Sequence, residues 1–209
     1  RGGGMRRRRG GRGTRVWLNR GLYGRSDRSV FVSERARREF LAGAPRVDAA
    51  RLCVIHNSVP EVEAPSLTDA APDLRARFGI PERVPLVLFT GRLVAGKGCE
   101  VLLKACARLG SRPFALFLAG CGSPAYEELL RNAARESGIG ERTHFLGFVP
   151  QVRRLLEQAD CCAFPSVWPE SFGLTVIEAM QAGRALVTTD NGAQSEVVDD
   201  GLTGVLRPP

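Results

Sequence analysis

The chain has 209 residues, of which 44% are hydrophobic and 25% charged, enough for one sizeable core or one domain plus part of another. Its net charge of +8 is concentrated in the first 28 residues, which hold ten arginines and one aspartate, so the rest of the chain is close to neutral. No apolar stretch reaches the roughly 18 residues of a membrane span, and six cysteines without a CxxC pair favour free thiols in a reducing compartment.

The chain begins with a segment of low complexity. Residues 1–26 are rich in arginine and glycine, cannot bury apolar area, and are expected to be disordered. An arm that binds nucleic acid or an anionic membrane is one interpretation, and an artefact of the reading frame is the other. We favour the artefact, because no aromatic residues alternate with the arginines to stack on bases.

The next segment, residues 27–60, has a strand at 29–33, a helix at 34–42 and a strand at 53–55, followed by a turn. Residues 61–73 are rich in proline, alanine and acidic side chains and are interpreted as a connection. From residue 84, apolar runs alternate with amphipathic helical patterns. This alternation predicts an α/β fold, a Rossmann-like parallel sheet with helices on both faces. The predicted strands are 85–90, 114–119, 143–145, 161–164, 185–189 and 204–206, and the predicted helices are 99–109, 125–137, 152–158, 172–182 and 193–198.

Two glutamates, Glu170 and Glu178, stand eight positions apart after the predicted strand 161–165. Ser171 is a candidate cap for the helix that follows, which places Glu170 at its mouth and Glu178 about two turns inside. The first N–H groups of a helix lack intrahelical partners and attract anions. An anion there, with hydroxyls for the two carboxylates, would be a sugar nucleotide.

The loop after the first strand of this region, residues 91–98 (GRLVAGKG), combines glycines with two cations, Arg92 and Lys97. Glycines let the backbone approach a phosphate, and the cations can neutralise it. The loop is also close to a Walker A motif, but Gly98 stands where serine or threonine should hold magnesium. A P-loop NTPase is therefore an alternative, and a nicotinamide-binding Rossmann protein is a weaker one, because the first turn lacks GxGxxG.

Six motifs follow one another along the chain, at residues 89–98, 118–122, 145–147, 169–180, 190–196 and 200–204. Taken together, they resemble retaining glycosyltransferases of family 4, which have the GT-B fold and an E-x7-E signature. The resemblance covers about residues 27–209. It implies that 27–60 is a remnant of the N-terminal acceptor-side domain and hinge, and that 61–209 is the nucleotide-sugar-binding domain without its final helices. Such a piece is expected to be inactive alone, because the reacting centre lies between two domains.

The resemblance also implies roles for individual residues. Arg92, Lys97 and Glu170 are the candidate catalytic residues, the two cations binding the donor diphosphate and Glu170 contacting the sugar. Glu178 would accept hydrogen bonds from the ribose hydroxyls. Phe148 and Val149 lie in the loop whose backbone would hold the base, although Phe148 could equally be a core aromatic. The remaining donor-binding candidates are Gly91, Ser171, Phe172, Gly173, Leu174 and Thr175.

The absence of a DxD motif, together with two histidines that lack spaced partners, predicts a metal-free site and no cofactor. The expected partners are a UDP-, GDP- or ADP-sugar donor and a carbohydrate or lipid-linked acceptor, with no specific nucleic acid. A cytoplasmic protein that can sit at the membrane surface fits this chemistry. The alternative function from another class is a sugar-nucleotide-binding module without catalysis.

Overall fold

The computed structural model describes residues 26–43, 47–60 and 73–209. The predicted tail and nearly all of the predicted connection at 61–73 lie outside the described residues. The chain divides into two compact units, Arg1–His56 and Asn57–Pro209.

The first unit contains the predicted strand, helix and strand. Strands β1 (Ser29–Phe31) and β2 (Leu52–Val54) pair in parallel, and helix α1 (Glu34–Gly43) lies between them in the chain. The helix begins where it does because the Ser33 hydroxyl accepts a hydrogen bond from the Ala36 N–H at 3.1 Å.

The second unit is built on a six-stranded parallel sheet. Its strand order is β5-β4-β3-β6-β7-β8, which confirms the predicted Rossmann-like α/β class. The centre of the sheet is fully buried, as shown by Leu88 on β3 and Phe117 on β4. The strands are β3 (Leu86–Thr90), β4 (Ala115–Ala119), β5 (Thr143–Gly147), β6 (Cys161–Phe164), β7 (Ala185–Thr189) and β8 (Val205–Arg207).

The chain adds strands in one direction and then reverses. It runs outward from β3 to β5, returns to place β6 beside β3, and continues outward to β8. Right-handed crossovers then put the early and late helices on opposite faces of the sheet. The reversal also opens a crevice between the loops that follow β3 and β6. The helices are α2 (Leu74–Phe78), α3 (Cys99–Ala107), α4 (Pro124–Glu136), α5 (Val152–Gln158) and α6 (Leu174–Gln181).

Two elements differ from the sequence predictions. Helix α2 was not predicted; it forms because the Asp73 carboxylate accepts from the N–H groups of Arg75 and Ala76 at 2.8 and 3.2 Å. The predicted helix at 193–198 is only a 3-10 turn, Gln194–Glu196. Most other predicted elements are present with ends shifted by one or two residues, and 152–158, 161–164 and 185–189 match fully.

Candidate donor site at the carboxyl edge of the sheet

The loops beyond the carboxyl ends of the strands are held together by main-chain hydrogen bonds. Gly91 N–H donates to the Ala119 carbonyl at 2.9 Å, and Gly120 N–H donates to the Gly147 carbonyl at 2.8 Å. On the other half of the sheet, Glu170 N–H donates to the Asn191 carbonyl at 2.9 Å. These bonds extend the sheet beyond its strands and give the predicted motifs a rigid frame.

The two loops at the crevice are joined by an ion pair. Lys97, at the end of a 3-10 turn after β3, places its ammonium Nζ 2.5 Å from Glu170 Oε1 in the loop after β6. The Ser166 hydroxyl donates to the same carboxylate oxygen at 2.6 Å. The side chains of Lys97 and Glu170 are only 26% and 19% exposed, so the pair is partly shielded from water. Two of the three predicted catalytic residues are therefore in direct contact.

Gly98 shows why this loop can approach the next one so closely. Its φ of 73° is left-handed, and a Cβ there would lie 1.7 Å from the Pro165 carbonyl oxygen. Any side chain at Gly98 would push the Lys97 loop away from the segment that carries Glu170. The glycine found where a Walker A motif needs a hydroxyl therefore has a packing role here.

Arg92, the third predicted catalytic residue, lies in a different environment. Its exposed side chain lines a cavity of about 290 Å³ together with Gly91, Gly120 and Cys121, which follow β3 and β4. Phe148 and Val149 line the same cavity from the loop after β5. Phe148 is 76% exposed, so it is not a core aromatic, and its ring is available to a ligand.

Helix α6 begins later than predicted. The residue before its first turn is Gly173, with a left-handed φ of 92°, and no side chain caps the helix. The predicted cap, Ser171, is exposed and does not perform that role, because Gly173 turns the chain away from it. Phe172 is buried and anchors the turn. The first N–H groups of the helix thus belong to Leu174 and Thr175.

Glu178 lies one turn into α6 rather than two. Burial raises the pKa of its carboxyl above the ordinary value of 4.5. It lines a second cavity, of about 210 Å³, with Val152, Gln151 and Gln181 among its neighbours. Val152 also lines the cavity that contains Arg92, so the two cavities share a wall. The two glutamates therefore have different surroundings, one paired with a cation and the other partly desolvated.

Three residues that sequence reasoning missed belong to this frame. Ser166 is buried and bonded to Glu170; its position directly after a strand and a proline was the available signal. Trp168 lies against Gly96, between the same two loops. Gln194 is 1% exposed, and its Oε1 has no partner among the described residues.

No group of three or more metal-ligating side chains occurs in the part of the chain that the structure describes. His144 packs against the rings of Phe78 and Phe117, at centroid distances of 4.5 and 4.9 Å, and burial lowers its pKa. All six cysteines are free, as predicted. Within the described ranges, no helix combines the length and hydropathy needed to cross a membrane.

Comparison with known proteins agrees with this geometry. The family described as "Glycosyl transferases group 1" matches residues 71–209. D-inositol 3-phosphate glycosyltransferase of Mycolicibacterium smegmatis is 34% identical over 183 residues, which is 85% of this chain and 41% of that protein. Alpha-D-kanosaminyltransferase of Streptomyces kanamyceticus is 32% identical over 143 residues, 66% of this chain and 36% of that protein.

A solved structure with the same fold is Anabaena Alr3699/HepE in complex with UDP and glucose. The TM-score is 0.83 at 26% identity, and the match covers 94% of this chain and 53% of that one. The chain thus spans about half the length of the proteins it matches, or less. The family match covers most of this chain, and the alignment with the Mycolicibacterium smegmatis relative covers 85% of this chain at an identity above 30%. The chain therefore belongs to the group 1 glycosyl transferases.

Proposed function

We propose that this chain is the donor-binding part of a retaining glycosyltransferase of family 4, which transfers a sugar from a nucleotide-sugar to an acceptor. The observation that carries the proposal is the Lys97–Glu170 ion pair at the crevice where the strand order reverses. Open parallel sheets bind their ligands at such a crevice. A cation that meets a phosphate and a carboxylate that meets hydroxyls are the two groups a sugar nucleotide requires there.

The chemical step needs stabilisation of the leaving group. When the bond between the anomeric carbon and the diphosphate oxygen breaks, negative charge grows on the departing nucleoside diphosphate. Lys97, Arg92 and the N-terminus of α6 are the groups assigned to neutralise that charge. Glu170 would hold the sugar by accepting from its hydroxyls. It would do so beside Lys97, so that charge neutralisation and sugar positioning share one small polar cluster.

The nucleoside would occupy the two adjoining cavities. Glu178 would accept hydrogen bonds from the ribose hydroxyls, and Phe148 and Val149 would flank the base. The cavities share Val152 in their linings, so the base and the ribose would lie on either side of this residue. We propose a uridine nucleotide as donor ahead of GDP- or ADP-sugars. The support is HepE, whose structure contains UDP and matches 94% of this chain.

We propose that donor binding needs no metal or other cofactor, since Arg92, Lys97 and the N-terminus of α6 are the groups that we assign to the phosphates. This distinguishes the proposal from a P-loop NTPase, which would need magnesium and which family membership argues against. The acceptor, a carbohydrate or lipid-linked molecule, would meet the donor from a second domain, so the described chain alone is expected not to transfer sugar. A cytoplasmic location with peripheral membrane contact fits such an acceptor.

The test begins with a thermal-shift panel of UDP, GDP, ADP and their sugars, followed by calorimetry of the best ligands in EDTA and in magnesium. We expect stabilisation by a uridine nucleotide and affinities that agree within about threefold in the two buffers. A loss of more than about tenfold in EDTA would overturn the metal-free assignment. Absence of stabilisation by every nucleotide would overturn the donor site itself. Sugar transfer by this chain alone would contradict the requirement for a second domain.

Binding without transfer is also what a non-catalytic module would show. The two functions separate when the chain is joined to an acceptor-side domain. In such a chimera the acceptor-side domain comes from the first half of a relative such as HepE. The chimera is assayed for acceptor-dependent release of UDP from UDP-glucose. Turnover that Lys97→Ala abolishes would support catalysis. A chimera that binds donor and shows no turnover would favour the binding module.

A further inference from the structure

Trp168 lies directly on the backbone of the loop that carries Lys97. The N–H groups of Val167 and Trp168 both donate to the Gly96 carbonyl, at 3.0 and 3.1 Å. A Cβ placed on Gly96 would stand 2.3 Å from ring carbons Cδ2 and Cε3 of the indole. The indole therefore occupies the space that a side chain at position 96 would take, and Gly96 is buried beneath it.

This contact connects the two partners of the ion pair through their neighbours in the chain. Lys97 follows Gly96 directly, and Glu170 comes two residues after Trp168. On the other side of Lys97, Gly98 rests on the main chain of Pro165. Lys97 is thus held between two glycine contacts with the segment 165–168. The Gly98 contact is made chiefly by the Pro165 carbonyl, whereas the Gly96 contact with the indole is made by a side chain, which a substitution can remove without altering the backbone.

We propose that Trp168 is a positioning residue for Lys97, and through it for the phosphate of the donor; this rests on the proposed function. A lysine ammonium stands at the end of a flexible stem, so its location depends on a fixed main chain at residues 96–98. Displacement of a catalytic group by about 1 Å can reduce its effect by as much as about a hundredfold. The indole fixes the loop at Gly96, and the next residue, Lys97, must reach both Glu170 and the phosphate.

The experiment must distinguish positioning of Lys97 from a direct contact between the indole and the ligand. Trp168 is 64% exposed, so its outer face could contact a sugar directly. A direct contact would weaken binding of a sugar nucleotide but leave the loop 91–98 as well ordered as before. A positioning role changes the order of that loop even when no ligand is present.

The experiment uses the full chain with Trp17→Phe, which leaves Trp168 as its single tryptophan. Trp168→Ala and Trp168→Phe are compared with Leu202→Ala, a control that removes another exposed apolar side chain, 81% exposed and in the turn before β8. Amide hydrogen exchange of the peptide covering residues 91–98 is measured without ligand. The dissociation constant of UDP-glucose is then measured by calorimetry.

We expect Trp168→Ala to speed exchange at Lys97 and Gly98 by about tenfold or more and to weaken UDP-glucose by about tenfold. Trp168→Phe should stay within about threefold of the parent in both measurements, and Leu202→Ala should change neither. Unchanged exchange in Trp168→Ala would overturn the proposal, and weaker binding with unchanged exchange would assign a direct ligand contact instead. If the parent does not bind UDP-glucose, the proposed donor fails, while the exchange result still decides the role of Trp168.

Gly96→Ala provides an independent variant in case Trp168→Ala does not fold. Its new Cβ should expel the indole, so we expect a red-shifted tryptophan emission and faster exchange in the same loop. Added to Trp168→Ala, the same substitution should have little further effect, because the ring it displaces is already gone. An unshifted emission spectrum in Gly96→Ala would contradict the contact on which the proposal depends.

Discussion

The Lys97–Glu170 pair predicts an unusual response to Glu170→Gln. The substitution keeps an oxygen that can accept from Ser166 and Lys97 but removes the charge. A hydrogen bond to a charged group contributes about 1.5–3 kcal/mol and a neutral one about 0.5–1.5 kcal/mol, so we expect a stability loss of about 1–1.5 kcal/mol. For a domain of this length that loss corresponds to a melting temperature lower by roughly 2–6 °C.

The effect on ligands has two parts with opposite signs. A carboxylate and a phosphate that share one ammonium stand about 5 Å apart, which at an effective dielectric constant of about 20 gives at most about 3 kcal/mol of repulsion per charge pair. Solvent and the ammonium reduce this value, and removal of the carboxylate charge should tighten UDP by about 1 kcal/mol, roughly fivefold. UDP-glucose gains the same amount but loses the charge-assisted hydrogen bond to its sugar.

The ratio of the two dissociation constants therefore isolates the sugar contact, because the repulsion cancels. Glu170→Gln should change that ratio by about one decade, the equivalent of about 1–1.5 kcal/mol, because the amide oxygen still accepts a neutral hydrogen bond. Glu178→Gln is the matched control: it should weaken UDP and UDP-glucose alike and leave the ratio constant. Calorimetry of both ligands on the three proteins gives all the values. A constant ratio in Glu170→Gln would refute the sugar contact, even if both affinities changed.

Three further predictions concern the cavities. Arg92→Ala should weaken UDP by about tenfold, leave uridine unaffected in calorimetry and keep the parent's melt, because the side chain is exposed; weaker uridine binding would contradict a phosphate role. UDP affinity should fall as the pH falls through the raised pKa of Glu178, since only the ionised carboxylate accepts both hydroxyls. Because the folded-state pKa of Glu178 is raised, this group's contribution to stability grows as the pH falls. The loss of affinity therefore cannot be attributed to unfolding through Glu178. A Glu178→Gln variant whose UDP affinity depends on pH in the same way would contradict the assignment. Iodoacetamide should label exposed Cys121, and UDP should protect it, whereas burial raises the pKa of Cys99 and Cys162 to about 12 and keeps both unreactive; labelling of Cys121 at the same rate with and without UDP, followed by mass spectrometry, would place the nucleotide elsewhere.

The strands and most helices could be predicted from the sequence because each follows a local pattern. Buried runs such as β6 are continuous and apolar, and α5 has its apolar residues at helical spacing, so both were placed without error. Helix α6 was placed two residues too early. A serine before an apolar run is a good cap in isolation. Gly173, however, adopts a left-handed conformation, so α6 cannot begin before Leu174.

The sequence names candidate site residues but does not show which of them pair. Lys97 and Glu170 are 73 residues apart, and nothing local states that they meet. Because the two residues meet, the Glu170 carboxylate would compete with a bound phosphate for the same ammonium. Trp168 was missed for a similar reason: its partner is a glycine, which leaves no trace in a hydrophobic pattern.

We expect a nucleoside diphosphate to bind in the crevice between the loops after β3 and β6. A crystal structure of the chain with UDP, grown in the presence of EDTA, would show where it binds. The diphosphate should lie within hydrogen-bond distance of Lys97 Nζ and the first N–H groups of α6, with the ribose hydroxyls on Glu178. A nucleotide bound away from this edge of the sheet, or a diphosphate that leaves the Lys97–Glu170 pair untouched and unapproached, would contradict this expectation.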